Sequence, residues 1–491
     1  MGIATGRIAG GIAEWDCANR ERRFCLPAGA LVLASILLPG CVSYQPAPLQ
    51  PERSAARFEQ RRLDAPELRE RVAPLLPPDD ASWPPPAWNR AQLLAVALVW
   101  NPKLAVARAQ VDEALAHENV VVQRPNPQLT LQSEYARHDP HPWLYGFALD
   151  LLLASHERVR VDSELANLET GGVRWELMDQ AWTVRSALLA ALSDRESARR
   201  RLDLLARLAA SQDRLVALER QLIAAGAESA SGLLAASQAR IEIEQQQAQA
   251  RADLVTAESV LAATLGLAPA AIDGLRIEWP EWGSPPEVSA AAVGEAREQA
   301  LRSRSDMSGA LDAYAAAEAR LHREVLRQYP QIHLQPGYYW DHGIAKFPFY
   351  VAFDLPLFNR NEGPIAEARA ARDVAGERML AVQAAIIGSV EAAVHGEQVA
   401  RDGAAAAERG LASVRTQRRN AATSLRLGAI AASEDLAAEV LALRSELETL
   451  RMRAQWQAAR NALEDALRAP LSGPELQLSQ PWPVAVAGAV R

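Results

Sequence analysis

The chain has 491 residues, carries a net charge of −8 at pH 7, and is 49% hydrophobic and 23% charged. Its length is enough for two or three ordinary domains or one elongated one, and its acidic balance gives no basic surface for nucleic acid. Aromatic residues make up only 5%, while Ala, Leu, Arg, Glu and Gln dominate, so we expect a mainly α-helical protein with few strands.

The N-terminus has the features of a lipoprotein signal peptide. Basic residues at 20–23 precede an apolar stretch from Phe24 to Leu38, which is the order found in signal peptides. The stretch ends at Leu38-Pro39-Gly40-Cys41, which resembles the lipobox of bacterial lipoproteins, although Pro39 is unusual at its position. We therefore predict a signal peptide over residues 1–40 and a covalent lipid, such as palmitate, on Cys41. A cleaved signal with an incidental cysteine is the alternative.

Other features of this region also concern export. Cys17 and Cys25 lie in the segment to be removed, so the mature chain keeps only Cys41 and forms no internal disulfide. The absence of Asp after Cys41 resembles outer-membrane sorting of bacterial lipoproteins. Past residue 41 we identify no apolar run of the roughly 20 residues that a membrane-spanning helix needs. Residues 41–88 are rich in proline and are predicted to form an extended tether, with at most a short helix near Glu52–Arg71.

A first structural repeat is predicted over residues 89–267. Apolar residues at helical spacing indicate a helix up to Val122. It is interrupted at Asn101-Pro102, because proline lacks the backbone N–H that a helix interior requires. Alternating apolar and polar residues then predict two strands, at about 127–137 and 143–153, which form a hairpin.

A long helical hairpin over 154–267 completes this repeat. Leucines recur at heptad-like spacing with almost no Gly or Pro up to Gly226. A helix of about 70 residues would be about 100 Å long and must pack as a coiled coil. Gly226 is typical of a helix end, and Ser229 or Ser231 is typical of the next helix start, so a second helix is predicted to run back to Leu265.

The remainder of the chain repeats this order. A linker with Pro and Trp over 268–294 precedes a second repeat over 295–469. That repeat has strands at about 330–341 and 346–357 and a helical hairpin over 364–469. Residues 470–491 are predicted to be a disordered tail.

The register of the two repeats indicates an internal duplication. A shift of 203 residues aligns Pro127–Gln132 with Pro330–Gln335. A shift of 202 residues aligns three residues at the first hairpin turn with three at the second; these are Gly226, Ser231 and Leu234, and Gly428, Ser433 and Leu436. Each repeat is therefore a large unit of several elements.

Four amphipathic strands in two hairpins are typical of part of a membrane β-barrel, with one face toward lipid and one toward water. Four strands cannot close a barrel, and a bilayer tolerates no unpaired strand edges. Other copies of the chain must therefore complete it, and three chains would supply twelve strands.

Several motifs in order resemble the TolC-like outer membrane efflux factors. They are the helix starts at Asn101-Pro102 and Arg304-Ser305-Asp306, the stretch Pro356–Gly363, and the turn from Leu427 to Leu436. The resemblance covers about 95–469, and Asn359-Arg360-Asn361 looks most like the heavy-metal branch. It implies a homotrimer with a twelve-stranded transmembrane β-barrel and a trimeric α-helical barrel in the periplasm. It also implies a periplasmic adaptor and an inner-membrane proton-driven pump as partners.

The resemblance implies roles for residues at the two hairpin turns. The adaptor-docking candidates are Gly226, Ser231, Leu234, Leu427, Gly428, Ser433 and Leu436. Glu434 and Asp435 are candidates for a periplasmic gate. Carboxylates are also favoured in the first turn of a helix by its dipole, so capping is an equal alternative for this pair.

The sequence favours neither a metal site nor an enzyme. The histidines near the strand ends, His138, His141, His156, His333 and His342, do not have a recognised ligand spacing, and no cysteine accompanies them. We identify no phosphate-binding loop or nucleophile motif, and expect no cofactor beyond the lipid. Aromatic residues crowd the strand ends and favour a girdle at the lipid interface; they are Trp143, Trp340, Tyr145, Tyr338, Tyr339 and Phe349.

Taken together, the sequence predicts an outer-membrane exit duct of a tripartite efflux pump, lipid-anchored, extending into the periplasm, and conducting metal ions or small toxic compounds. A periplasmic coiled-coil adaptor or scaffold lipoprotein without a pore is one alternative. An exit duct for a secreted polypeptide is another.

Overall fold

The computed structural model describes residues 42–77, 83–153, 155–227 and 229–478. The expected signal peptide and Cys41 lie outside the described residues, as does the end of the tail. The chain divides into two compact units, Met1–Ser54 and Ala55–Arg491. All the strands and long helices belong to the second unit.

The described residues form ten α-helices, two short and then four in each repeat. The short ones are α1 (Pro51–Glu59) and α2 (Pro66–Val72). The first repeat has α3 (Arg90–Trp100), α4 (Pro102–Val121), α5 (His156–Ala224) and α6 (Ala230–Leu265). The second has α7 (Ala290–Ser303), α8 (Ser305–Leu326), α9 (Glu362–Arg426) and α10 (Ala432–Leu467). The predicted fold class, mainly α with a small β part, is confirmed.

The break between α3 and α4 has the cause expected from Asn101-Pro102. The Asn101 side chain accepts hydrogen bonds from the N–H groups of Lys103 (2.9 Å) and Leu104 (3.4 Å), and Pro102 occupies the first position of α4. The side-chain amide nitrogen of Asn101 also donates to the Thr264 carbonyl at 2.8 Å, near the end of α6. One asparagine therefore starts α4 and fixes it to the returning helix.

Within the described ranges, the β part is a single antiparallel sheet of five strands. They are β1 (Gln128–Tyr135), β2 (Trp143–Leu153), β3 (Ile332–Asp341), β4 (Ile344–Lys346) and β5 (Phe349–Phe353). β1 pairs with β2, β2 with β3, and β3 with both β4 and β5. The hairpins of the two repeats therefore join at β2 and β3, and the outer edges of the sheet are β1 on one side and β4 with β5 on the other.

The last predicted strand is interrupted and shorter than expected from 346–357. Pro348 separates β4 from β5, because it has no N–H to donate to the ladder. Its carbonyl still accepts from the Gly337 N–H at 2.9 Å. The strand ends at Phe353, so the alternating residues Leu355 and Leu357 lie beyond it and are exposed.

Two regions predicted to be loose connections are packed instead. Leu68 and Val72, in the expected tether, are 0% exposed and belong to the largest apolar core, with Trp279 and Trp282 of the expected linker. The Trp88 N–H donates to the Arg276 carbonyl at 2.8 Å, and the Trp88 carbonyl accepts from the Glu278 N–H at 2.9 Å. Burial of large apolar side chains outweighs the extended preference of proline-rich sequence.

The beginning of the expected disordered tail is also structured. Residues Pro474–Gln477 form a 3₁₀ turn, and Glu475 is buried beside Arg185 of α5, with the Arg185 Nε donating to its carboxylate at 2.7 Å. This ion pair could not be inferred from local sequence, because its members are 290 residues apart.

One helix among the described residues, α9, is long and apolar enough to cross a membrane when judged by length and composition alone. The expectation that no such run follows residue 41 is therefore wrong, because the apolar window in α9 contains few charged residues. Only 11% of this apolar window is buried within the chain. α9 nevertheless packs along α10 and α8 as part of the helical hairpin.

Candidate channel elements

The strand register gives the sheet two different faces. Direct partners in an antiparallel pair share a face, and successive residues alternate. Thr130 therefore shares a face with Ala148 and Gly337, and Leu131 shares the other with Phe147 and Tyr338. The first face is mainly polar; it carries Gln128, Thr130, Gln132, Glu134, Asp150, His333, Gln335, Tyr339, Asp341, Lys346 and Tyr350, together with the apolar Leu144, Leu152 and Ile344.

The second face is apolar and open. Leu131 is 75% exposed, Phe349 63% and Val351 51%. Its other large apolar and aromatic members are Leu129, Tyr135, Trp143, Tyr145, Phe147, Leu149, Leu151, Leu153, Ile332, Leu334, Tyr338, Trp340 and Phe353, and the polar Ser133 also lies on it. Exposure of such a large apolar surface to water is unfavourable, because its burial in an apolar environment would stabilise the protein. The face therefore requires an apolar environment.

Aromatic rings are concentrated on the apolar face near one end of the strands. Tyr145 stacks with Trp340 (ring centroids 6.5 Å apart), and Tyr135 meets Trp143 edge to face at 4.9 Å. Tyr339 pairs with Gly146 and so lies on the polar face. The register therefore separates Tyr339 from the predicted girdle.

The polar face holds a small hydrogen-bonded cluster. His333 Nδ1 lies 2.9 Å from one carboxylate oxygen of Asp150, and the Gln335 amide donates to the other at 3.3 Å. His342 contacts Asp341, and these histidines are on different strands or loops. Among the described residues, no three His, Cys, Asp or Glu side chains group in a way that could hold a metal ion.

The two hairpin turns have the same backbone geometry. Gly226 and Gly428 both have φ of +70°, the left-handed conformation that glycine adopts without steric cost. The N–H after each glycine closes the helix end: Ala227 donates to Leu222 at 2.9 Å, and Ala429 to Ser424 at 2.8 Å. These are the bonds of a Schellman-type helix end, and they explain why both glycines stand at equivalent positions.

The other predicted tip residues differ in exposure. Leu234 is 70% and Leu427 79% exposed, while Ser433 and Leu436 are half-buried. The Ser231 hydroxyl pairs with that of Ser229 at 2.7 Å. The tips therefore present apolar side chains to their surroundings.

Glu434 and Asp435 are adjacent but make different contacts. The Glu434 carboxylate accepts from the Ala431 N–H at 3.4 Å, a helix-start contact, and the side chain is exposed. Asp435 is 9% exposed and pairs with Arg418 of α9 at 2.9 Å. Asp435 thus fastens the start of α10 to α9.

Farther along α10 from Asp435 lies a series of ion pairs that the sequence analysis did not predict. Glu446 of α10 lies 3.3 Å from Arg207 of α5 and 3.0 Å from Arg415 of α9. Seven residues earlier, Glu439 pairs with Arg418 at 3.1 Å and with Arg214 of α5. Each glutamate therefore joins three helices. The two glutamates are seven residues, or about two helical turns, apart, and this spacing is visible in the sequence.

Glu439 is held in its charged form. Burial works to raise the pKa of its carboxyl, but a hydrogen bond from Ser211 at 2.6 Å and the charges of Arg214 and Arg418 outweigh burial and lower that pKa below its usual value. The contact is therefore maintained throughout the neutral range.

No protein-family model matches the chain, and no curated protein does. Solved structures match well. The outer-membrane channel OprN is 17% identical with a TM-score of 0.65, over 88% of this chain and 99% of OprN. The outer membrane protein VceC from Vibrio cholerae is 16% identical with a TM-score of 0.64, over 78% and 97%. CusC, a protein that forms a transmembrane channel, is 18% identical with a TM-score of 0.63, over 78% of this chain and 92% of CusC.

The chain therefore has the fold of the outer membrane factor channels, and the TolC-like resemblance read from the sequence is confirmed for the fold. The heavy-metal branch stays a prediction.

Proposed function

We propose that the protein is the outer-membrane exit duct of a tripartite efflux system, and that it conducts substrates passively. The observation that carries this proposal is the two-faced sheet with open outer edges. Its apolar face fits lipid, its polar face fits a water-filled bore, and its edges need strands from other copies.

With β4 and β5 counted as two parts of one interrupted strand, each copy supplies four strands. Three copies would then supply twelve strands and close the barrel, with the helical hairpins extending the bore into the periplasm. The sheet supports this arrangement because, among the described strands of one chain, the outer edges of β1 and of β4 with β5 have no partner. A closed ring of identical contacts satisfies every edge. The duct performs no reaction, so energy must come from an inner-membrane proton-driven pump.

The hairpin turns are the proposed contact with a periplasmic adaptor. Exposed Leu234 and Leu427 at the two turns support this role, since exposed apolar residues commonly mark protein contacts. We assign Asp435 to the gate, because its pair with Arg418 restrains the beginning of α10. Glu434 is the second gate candidate, and its helix-start contact also fits a capping role.

Lipid attachment at Cys41 would hold the N-terminus at the outer membrane. A lipid chain contributes about 0.8 kcal/mol per buried CH₂ group, so more than one chain gives firm anchoring. Replacement Cys41→Ser is expected to abolish incorporation of labelled palmitate while the helical content stays unchanged. Undiminished labelling would refute the assignment.

Conductance across a planar bilayer tests the duct directly. The purified protein should insert and form channels, and the double variant Glu434→Ala, Asp435→Ala should raise their conductance by removing the gate contacts. A protein that forms no channel in either form would favour the pore-free scaffold. Metal ions or small toxic compounds are the proposed cargo, and a secreted polypeptide is the alternative, which co-purification of the pump would distinguish.

A further inference from the structure

The packing between the two repeats of one chain provides a template for the contact between two chains. Within the chain, α10 of the second repeat packs against α5 of the first. The duplication makes α6 the counterpart of α10, and α9 the counterpart of α5, with a shift of 202 residues. A face of α6 equivalent to the α5-facing side of α10 therefore exists in each chain.

That face of α6 is uncovered. Leu443 of α10 is 5% exposed and packs with Leu205 and Leu208 of α5, whereas its counterpart Ile241 on α6 is 56% exposed. Leu450 is buried as well, but its counterpart Ala248 is exposed. The opposite side of α6, around Ile243 and Ala250, is the one already buried within its own hairpin.

The corresponding face of α9 is also uncovered. The side of α5 that contacts α10 carries Arg207, Ser211 and Ser197. Their counterparts on α9 are Arg409, Ser413 and Val399. All three are exposed, and Val399 is 72% exposed.

One ion pair within the chain has counterparts with the same charges, one arginine and one glutamate. Arg207 pairs with Glu446 at 3.3 Å, and the shift of 202 turns these positions into Arg409 and Glu244. The Glu244 side chain is 61% exposed, and among the described residues it forms an ion pair only with Arg240 of its own helix. Arg409 forms no ion pair with any described residue, and the pair of Glu244 lies within its own helix at the surface, so both side chains can reach a neighbouring copy.

We infer that a second copy of this chain covers the free face of α6 with its α9, in the register that places Glu244 of one copy opposite Arg409 of the next. This inference rests on the proposed trimeric duct and deepens it, because it fixes which helices meet and at which level. The contact joins unlike surfaces, so it repeats around a ring rather than forming a two-fold pair.

Thiol cross-linking tests the register. The Ser211 hydroxyl donates to Glu439 at 2.6 Å, and the counterparts are Ser413 and Ser237. In a background with Cys17, Cys25 and Cys41 all replaced by serine, the variant carrying Ser237→Cys and Ser413→Cys should give cross-linked dimers and trimers with a short bifunctional thiol reagent. The matched control carries Ala235→Cys with Ser413→Cys. Ala235 is exposed, and its counterpart Ala437 is not covered by α5 but exposed as well, so Ala235 lies outside the proposed contact face of α6. Cross-linking of the control should therefore be lower by at least about tenfold.

Charge exchange gives a second test. Arg409→Glu should reduce cross-linking of the Ser237→Cys, Ser413→Cys variant by placing two carboxylates together, and addition of Glu244→Arg should restore it. If the protein forms conducting trimers but the control pair cross-links equally or better, the register is wrong while the duct stands. If no trimers or channels form, both the register and the proposed function are overturned.

Discussion

The Nη2 atom of Arg185 lies 2.5 Å from a carboxylate oxygen of Glu464, and both side chains are only 1% exposed. Arg185 is on α5 and Glu464 on α10, so the pair joins the two repeats at a dry interface. Glu475 approaches the same guanidinium at 2.5 Å. Burial works to lower the pKa of Arg185, yet these two carboxylates outweigh it and raise the pKa above its ordinary value.

Removing the guanidinium should be strongly destabilising. Arg185→Met would leave Glu464 and Glu475 buried without a cation, and breaking such a pair costs about 3–5 kcal/mol. Thermal unfolding followed by circular dichroism should show a lower midpoint. The triple variant Arg185→Met, Glu464→Gln, Glu475→Gln should recover much of the loss, because no buried charge is left. A single variant as stable as the wild type would show that the cluster does not join the repeats.

Two glycines with the same backbone angle should respond differently to substitution. Gly266 (φ +72°) ends α6, and a Cβ there would lie 2.2 Å from the Trp100 carbonyl oxygen. Gly226 (φ +70°) has nothing within 4 Å of such a Cβ. Gly226→Ala should cost about 1–2 kcal/mol for the left-handed conformation alone, and Gly266→Ala clearly more. Equal unfolding midpoints for the two variants would contradict the close approach.

The contact of Glu439 should depend on pH. Its pKa is lowered in the folded protein, so its contribution to stability is complete above the unfolded carboxyl pKa of about 4.3 and is lost as pH falls through the lower folded value. Glu439→Gln should therefore destabilise at pH 7, and the difference from wild type should shrink below about pH 4. Glu287→Gln, at an exposed carboxylate, is the control and should show no such trend. A pH-independent difference for Glu439→Gln would refute the role of its charge.

The sequence was most informative where structure follows local periodicity. Long runs without proline predicted α5 and α9, and alternation predicted β1 to β3, since helix and strand patterns are set by neighbouring residues. The glycines at 226 and 428 marked both turns because the left-handed helix end has a specific residue requirement.

Features that depend on distant partners were missed. Leu68, Trp279 and Trp282 lie in proline-containing stretches that resemble linkers, and only the folded core shows that they are buried. Pro348 was overlooked within an otherwise regular strand pattern. The three-helix ion pairs of Glu439 and Glu446 need the packing of α5, α9 and α10 before their heptad spacing has meaning.

The central claim is that the polar face of the sheet lines a water-filled bore while the apolar face meets lipid. Gln335 and Leu334 are adjacent in β3 and lie on opposite faces. In a background with Cys17, Cys25 and Cys41 all replaced by serine, single channels of Gln335→Cys should lose conductance when a charged, water-soluble thiol reagent is added, whereas those of Leu334→Cys should be unaffected. Block of the Leu334→Cys channel with no effect on Gln335→Cys would contradict the account.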